Sequence, residues 1–439
     1  MRGKLKVDYT IILETKYSKK MKNKFSFILA GLAVAVVLGL VGIALVSQAA
    51  SQPFTPSKAE VMARKIIVFK SGILNEPDRE ALVKKHGGVI TKNLDLIEGK
   101  AVLLPPKAEA ALAREAEVLR IDDNVEVFAL AKPIKVTQPA EVLPWGVDRI
   151  DAEKVWGGSE DATAVIPGNP SGQGVKVAIV DTGIDVKHSD LKDNLKGGVS
   201  TVAYTRKYND DNGHGTHVAG IAAAVDNEIG VIGVGPEIYL YAVKVLDRRG
   251  SGWLSDVIEG LDWVITQKNT QGGDWVVNMS LGTTSYNKSF EEAVKKVNAA
   301  GITQVAAAGN NGPDDNTVTY PAKFAEVIAV TATNDTDTIA SWSSRGSEVD
   351  LAAPGVSIYS TYKGSTYKTL DGTSMASPHV AGTAALVLTQ TTKCDSDLNG
   401  ICSPAEVQQR LEATAEDLGA VGRDDLYGSG LVDAEKAVQ

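Results

Sequence analysis

Three short segments of this chain carry residue types that together can activate a nucleophile. Val180-Asp181-Thr182-Gly183-Ile184-Asp185 sets a carboxylate at the end of an apolar run. Asn212-Gly213-His214-Gly215-Thr216-His217-Val218-Ala219-Gly220 sets a histidine between glycines at a helix start. Leu370-Asp371-Gly372-Thr373-Ser374-Met375-Ala376-Ser377-Pro378-His379 sets a serine at the opening of an apolar helix. A serine hydroxyl attacks poorly until a base takes its proton, and the base must be held in one tautomer by an acceptor. Asp181, His214 and Ser374 can fill those three parts. Plainer roles compete for each. Asp181 and Ser374 can cap helices, and His214 with His217 has the spacing of a metal pair. The glutamate that would complete a zinc peptidase pattern is missing. His217 and His379 are read as packing residues.

The elements that must hold these segments are read from periodicity. Gly174 to Val180 is a continuous apolar strand that stops at Asp181. Tyr239 to Leu246, Trp275 to Leu281, Thr303 to Ala308 and Val327 to Thr331 are further β-rich runs separated by helical stretches. This alternation predicts an α/β fold, a parallel sheet with helices on both faces, with ligands bound beyond the carboxyl ends of the strands. Asp181 and Asn310 fall just past two such ends. Upstream, Lys65 to Phe69 reads as a strand and Asp78 to His86 as a helix stopped by Gly87-Gly88. Val89 to Leu96 and Ala101 to Leu104 read as strands, Lys107 to Leu119 as a helix rich in Ala, Glu and Leu, and Val125 to Leu130 as a closing strand. Strand, helix, strand, strand, helix, strand is the order of a small α+β ferredoxin-like domain. Pro133, Pro139 and Pro144 mark a linker between the two parts.

The three segments, in the order acid, base, serine, resemble the subtilase family from about Pro144 to the C-terminus. Lys65 to Leu130 more weakly resembles that family's inhibitory propeptide. The resemblance implies a serine endopeptidase with Asp181, His214 and Ser374 as its triad, made as a precursor that cuts itself between Leu130 and Ala140. It divides the chain into residues 52–139, propeptide and linker, and 140–439, a subtilisin-like peptidase domain. Val305-Ala306-Ala307-Ala308-Gly309-Asn310 resembles the segment ending in the family's oxyanion asparagine, which gives Asn310 that role. Gly250-Ser251-Gly252 and Ser280-Leu281-Gly282 resemble the two strands that sandwich an extended peptide. Ala307, Ala308 and Gly309 would then line the first pocket, and Thr319 would narrow it. Val225-Asp226-Asn227-Glu228-Ile229-Gly230-Val231 resembles the family's strong calcium loop. Matched residue by residue, Asn227 gives a side-chain oxygen, Val225, Ile229 and Val231 give carbonyls, Asp190 gives a carboxylate, and Glu141 stands where the family commonly has glutamine. Implied partners are protein or peptide substrates and the chain's own propeptide as inhibitor, the enzyme otherwise being a monomer. A catalytically silent peptide-binding protein on the same fold is the alternative, and the intact triad with Asn310 speaks against it.

A second Ca2+ site is read directly from the residues. Asp395, Asp397, Asn399, Gly400 and Glu406 match the whole D-x-[DN]-x-[DN]-G-x₅-E loop pattern, with Ile401 offering its carbonyl. The competing reading is local: Ser403-Pro404-Ala405-Glu406 is also a capping box with proline in the first turn. Cys394 and Cys402 are the only two cysteines, and in an exported chain such a close pair reads as one disulfide across this loop. Export is expected from the N-terminus, residues 1–51. Lysines 19, 20, 22 and 24 precede an apolar run from Phe25 to Val46, followed by small residues. That is the order of a secretory signal, starting at Met1 or Met21, although the run is also long enough for an uncleaved membrane anchor. Charge is uneven. Residues 1–138 hold 22 Lys and Arg against 14 Asp and Glu, and residues 139–439 hold 23 against 40. The acidic C-terminal part argues against nucleic-acid binding.

Overall fold

The computed structural model describes residues 62–129, 132–136 and 139–439, with the backbone alone over 132–136. The expected signal or anchor, residues 1–51, lies outside the described residues. Among those described, no helix is long and apolar enough to cross a membrane.

The N-terminal unit runs β1 (Ala63–Phe69), α1 (Glu76–Lys85), β2 (Val89–Leu94), β3 (Gly99–Leu104), α2 (Pro106–Leu112) and β4 (Val118–Asp123). Its antiparallel sheet has the order β2-β3-β1-β4, the ferredoxin-like arrangement. Asn75 starts α1 by accepting the Asp78 N–H at 3.0 Å, a side-chain cap on an otherwise orphan donor. β1 is apolar from Ile66 to Phe69 because both faces of the sheet are covered. Ile67 and Phe69 share a small core with Val83, Leu104 and Leu112, and Ile66 and Val68 belong to the core that also holds Val257, Leu261 and Val294 of the larger unit. One expectation is corrected. The helix predicted from Lys107 to Leu119 ends at Leu112, and the fourth strand is Val118–Asp123 rather than Val125–Leu130. Pairing of Asp123 to Val118 along β1 outweighs the helix propensity of the Ala- and Glu-rich run. The segment expected to close the sheet leaves it as β5 (Glu126–Ala129), and β6 (Lys132–Val136) follows.

The larger unit continues with α3 (Trp145–Arg149), α4 (Ala152–Gly157), β7 (Lys176–Asp181), β8 (Leu195–Ser200), α5 (His214–Ala223), β9 (Tyr239–Lys244), β10 (Ser251–Trp253) and α6 (Leu254–Gln271). Then come β11 (Trp275–Met279), β12 (Leu281–Gly282), α7 (Lys288–Ala299), β13 (Thr303–Ala307), β14 (Ile328–Thr333), β15 (Leu351–Pro354), β16 (Ile358–Tyr362) and β17 (Thr366–Asp371). Helices α8 (Thr373–Leu388), α9 (Thr391–Cys394), α10 (Pro404–Thr414) and α11 (Ala434–Val438) close the chain. Seven strands form the central sheet in the order β15-β14-β13-β11-β7-β9-β8, and every neighbouring pair is parallel. Parallel strands covered on both faces are apolar throughout. Val177 and Ile179 of β7 join the core that holds α5 and α8, while Ala178 and Val180 join the core that holds α6 and α7. Every residue of α8 is buried. β8 and β15 were not read from the sequence, the first because Gly197 and Gly198 interrupt it.

Candidate active site

β7 delivers Asp181, fully buried, to the carboxyl edge of the sheet. Its carboxylate accepts from His214 Nδ1 at 2.8 Å and from the Thr182 N–H at 2.6 Å. A proton on Nδ1 leaves Nε2 with a free lone pair, the form a general base needs. Among the described residues Nε2 has no hydrogen-bond partner. The glycines beside His214 are there because nothing larger fits. A Cβ on Gly215 would lie 2.3 Å from the Gly183 carbonyl oxygen and 3.1 Å from the Asp181 side chain. Gly213, with φ 113°, would drive a Cβ to 2.2 Å from the Tyr362 ring.

The histidine loop has an organiser that sequence reasoning missed. Asp210 is buried, and its carboxylate accepts N–H groups from Asn212, Gly213 and Thr216 and hydroxyls from Thr182 and Thr216. Burial pushes its carboxyl up, and the hydrogen bonds oppose that push. Its signal was visible as an Asp in a polar turn, Asp210-Asp211-Asn212-Gly213, directly before the histidine. Lys244 is also fully buried and donates to the Thr182 carbonyl at 2.6 Å and to Asp211 at 2.7 Å, which braces the residue after Asp181. His217 and His379 are packing residues. Burial pushes them down to about 3 and about 4, respectively. His217 Nε2 donates to the carbonyls of Ile358 and Lys368.

Ser374 is the second residue of α8 and fully buried. Its Oγ donates to the Ser280 carbonyl at 3.1 Å, and Ser280 Oγ donates back to the Ser374 carbonyl at 2.8 Å. The hydroxyl is therefore hydrogen-bonded to Ser280 and not to His214 Nε2. Asn310 follows β13 and Gly309. Its Oδ1 accepts the Thr373 N–H at 3.1 Å and the Thr373 hydroxyl at 2.9 Å. Because a backbone N–H can only donate, this contact fixes the oxygen end and turns the amide N–H₂ the other way. Thr373 was another residue not singled out in the sequence.

The strands expected to hold a peptide already hold one. β5 lies between β10 and β12 as an antiparallel middle strand. Phe128 pairs with Ser251 and Gly282, Val127 with Gly252, and Ala129 with Leu281. The Ala129 N–H donates to the Gly250 carbonyl at 2.8 Å. Gly252 has no room for a side chain, since a Cβ would sit 2.2 Å from the Val245 carbonyl oxygen. Ser280 lies outside β12 and meets Ser374 instead. Ala307 and Ala308 are fully buried. A Cβ on Gly309 would lie 2.9 Å from Thr319 Cγ2, so Thr319 forms the wall beside that segment.

The residues of the first expected calcium loop come together. Glu141 Oε1 accepts the Asn227 N–H at 2.8 Å, and Asn227 Nδ2 donates to Asp190 Oδ1 at 3.2 Å. Asp190 Oδ2 accepts from Val231 N–H and from the Tyr367 hydroxyl. Bridges tie Ala140 to Ile229 and Val142 to Val231, and the Val225 N–H donates to the Asp190 carbonyl at 2.9 Å. Burial, with Asp226 and Asp190 nearby, pushes Glu141 up to about 7. In the second loop a disulfide joins Cys394 to Cys402 across a Cα separation of 5.5 Å. One oxygen from each of Asp395, Asp397 and Glu406 lies within 4.8 Å of the others. Asp395 accepts the N–H groups of Asn399 and Gly400, and Asn399 Oδ1 accepts that of Ile401. The capping reading holds too. Glu406 Oε2 accepts from the Ser403 N–H and hydroxyl, and Oε1 accepts from Ser396 and Asp397.

A buried carboxylate, a histidine beside it, a serine at a helix start and a peptide strand laid between two edge strands define a serine endopeptidase. The chain belongs to the subtilase family, whose profile matches residues 172–430. It is 45% identical to subtilisin DY of Bacillus licheniformis over 302 residues, 68% of this chain and 100% of that protein. It is 38% identical to subtilisin E of Bacillus subtilis (strain 168) over 387 residues, 87% of this chain and 92% of that one. With an alkaline protease of Alkalihalobacillus alcalophilus it shares 41% over 339 residues, 77% of this chain and 79% of the other. The match to subtilisin E is too long to be confined to residues 140–439, so it includes part of the N-terminal unit, in keeping with an enzyme made as a precursor.

Proposed function

We propose that peptide bonds are hydrolysed through an acyl-enzyme on Ser374. In this reading His214 Nε2 takes the Ser374 proton as Oγ attacks the substrate carbonyl. It then gives that proton to the leaving amine, and a water repeats the sequence to free the acid. Asp181 holds the Nδ1 proton and offsets the imidazolium charge. The Asn310 amide and the Ser374 backbone N–H face the developing oxyanion. Gly250, Ser251, Gly252, Leu281 and Gly282 pair with substrate backbone, and Ala307, Ala308 and Gly309 line the first pocket. Residues 52–139 act as propeptide, with β5 as an inhibitor that occupies the cleft like a substrate, and the cut falls between Leu130 and Ala140. The observation that carries the reading is β5 itself, an extended strand held by the two edges that lead to Ser374.

Calcium fits as a structural cofactor. Glu141, Asp190 and Asn227 with the carbonyls of Val225, Ile229 and Val231 form a hard-oxygen donor set, and crowded carboxylates favour a divalent cation. Asp395, Asp397, Asn399, Ile401 and Glu406 form a second such set. Bound there, Ca2+ would brace loops and take no part in acyl transfer. Export follows from the basic and apolar N-terminus. The test is Ser374→Ala, which should abolish proteolysis and leave an unprocessed precursor, while the parent is labelled by a fluorophosphonate. Full-rate processing of the purified variant refutes self-cleavage, and a parent that resists the label favours a silent peptide binder.

A further inference from the structure

The acyl-transfer steps leave a buried cation beside the triad unused. Lys244 ends β9 and pairs across the sheet with Asp181, the last residue of β7. Its side chain has no exposed surface. Nζ donates to the Thr182 carbonyl at 2.6 Å, to Asp211 Oδ1 at 2.7 Å and to the Leu246 carbonyl at 3.0 Å. Three acceptors match the three N–H bonds of an ammonium. A charge removed from water needs a partner, and Asp211 is the carboxylate that supplies it. Burial works against the Asp211 charge, yet hydrogen bonds from Lys244 and Tyr204 hold its carboxyl below the ordinary range. The three acceptors lie on three separate segments. Thr182 follows the triad acid, and its hydroxyl donates to Asp210 and accepts the Gly215 N–H. Asp211 stands three residues before His214, and Leu246 leads into the turn before β10.

We propose that Lys244 and Asp211 are a pair of positioning residues for the triad: the ammonium ties the acid and base loops together, and the carboxylate cancels its charge at His214. The proposal rests on the reading of His214 as the base and Ser374 as the nucleophile. Other charged or titratable groups surround the pair. Asp181 and the buried Asp210 lie on its triad side. The Tyr204 hydroxyl donates to Asp211 Oδ2 at 2.6 Å, and its ring centre is 5.8 Å from Nζ. Lys363 Nζ donates to the Asp211 carbonyl at 2.6 Å. Asp247 and Arg248 sit beside Tyr204 in the turn after β9, and His217 on α5 is kept neutral by burial. Among these groups only Asp211 forms an ion pair with Lys244, so removing one member of the pair uncovers the charge of the other.

The test follows kcat/KM against pH for the purified active enzyme, Asp211→Asn, Lys244→Met and the double variant, with active sites counted by a fluorophosphonate. Asp211→Asn leaves the ammonium uncancelled. That disfavours the imidazolium and should move the acidic limb down by about half a pH unit. Lys244→Met leaves the carboxylate uncancelled and should move the limb up by a similar amount. The double variant should return the limb to the parent's position, with kcat still roughly tenfold low because the loops have lost their common anchor. A part in folding alone would lower the count of active sites and leave every limb in place. Limbs that stay in place, limbs that move the same way in both single variants, or a double variant with the parent's kcat overturn the proposal and leave the endopeptidase reading standing. If Lys244→Met gives no folded enzyme, Asp211→Asn decides alone, since its side chain is partly exposed. A parent that resists the fluorophosphonate overturns both.

Discussion

Glu153 is the second residue of α4, has no exposed surface, and neither carboxylate oxygen has a hydrogen-bond partner among the described residues. Burial pushes its carboxyl up to about 8, opposed by its own backbone N–H, which lies too poorly aligned for a full hydrogen bond, and by Lys154, and helped by Asp148 and Asp151. The folded protein therefore keeps this proton where the unfolded chain loses it. Below the unfolded value, 4.5, both states are protonated and the group costs nothing in charge. Between that value and about 8 the unfolded state binds fewer protons, so stability falls as pH rises, by about 1.4 kcal/mol per pH unit. From pH ~5.5 to ~7.5 that is roughly 2–3 kcal/mol. Glu153→Gln keeps the shape and removes the titration. Urea unfolding in the Ser374→Ala background, which prevents autolysis, should show the variant gaining on its parent by that amount across the interval at fixed calcium. Glu153→Leu also removes the unpaired polar atoms and should exceed its parent at both pH values. Parallel pH dependence of the Glu153→Gln variant and its parent refutes the reasoning, because it would mean that the carboxyl ionises freely in the fold.

Asn310→Ala should lower kcat by roughly 10²–10³ with little change in KM, the size known for the equivalent loss in subtilisin rather than one worked from these contacts; a raised KM at normal kcat would assign Asn310 to substrate binding. Asp395→Ala with Asp397→Ala should lower the melting temperature in calcium and leave low-temperature turnover intact. An unchanged calcium stoichiometry by calorimetry would remove that site. Glu406→Ala should destabilise even in chelator, by about 1 kcal/mol, since it also deletes half of the capping box at Ser403. Equal melting temperatures of this variant and its parent in chelator would show that the cap contributes nothing.

What could be read from sequence divides along a physical line. Asp181, His214, Ser374 and the apolar strand runs announce themselves because reactive side chains and buried strands each need particular residue types at particular spacings. Glu126 to Ala129 was readable as a strand but not as the middle strand between β10 and β12, because pairing partners more than 100 residues apart leave no local trace. The Lys107 to Leu119 helix was overextended for the same reason, a distant strand outbidding local propensity. Asp210 and Thr373 escaped because their work is to accept and donate hydrogen bonds around the reactive groups, and Asp and Thr do that in countless ordinary turns. The Ser280-facing hydroxyl of Ser374 is a rotamer, and sequence does not specify rotamers.

Helix α6 begins with donors met from outside its own unit. The Leu254 N–H donates to the Val125 carbonyl at 2.9 Å, and the Ser255 N–H donates to Asn124 Oδ1 at 3.0 Å, while Asn124 Nδ2 donates to Ser255 Oγ. The first turn of any helix has four orphan N–H groups, and here two of them are satisfied by Asn124 and Val125, residues that the proposed cut between Leu130 and Ala140 would remove. A peptidase matured by that cut would be a less complete hydrogen-bonded object than its precursor. The start of α6, directly after the β10 edge, would then exchange fixed protein acceptors for water. Hydrogen exchange at Leu254 and Ser255 would report that handover, slow in the precursor and fast once the N-terminal unit has gone.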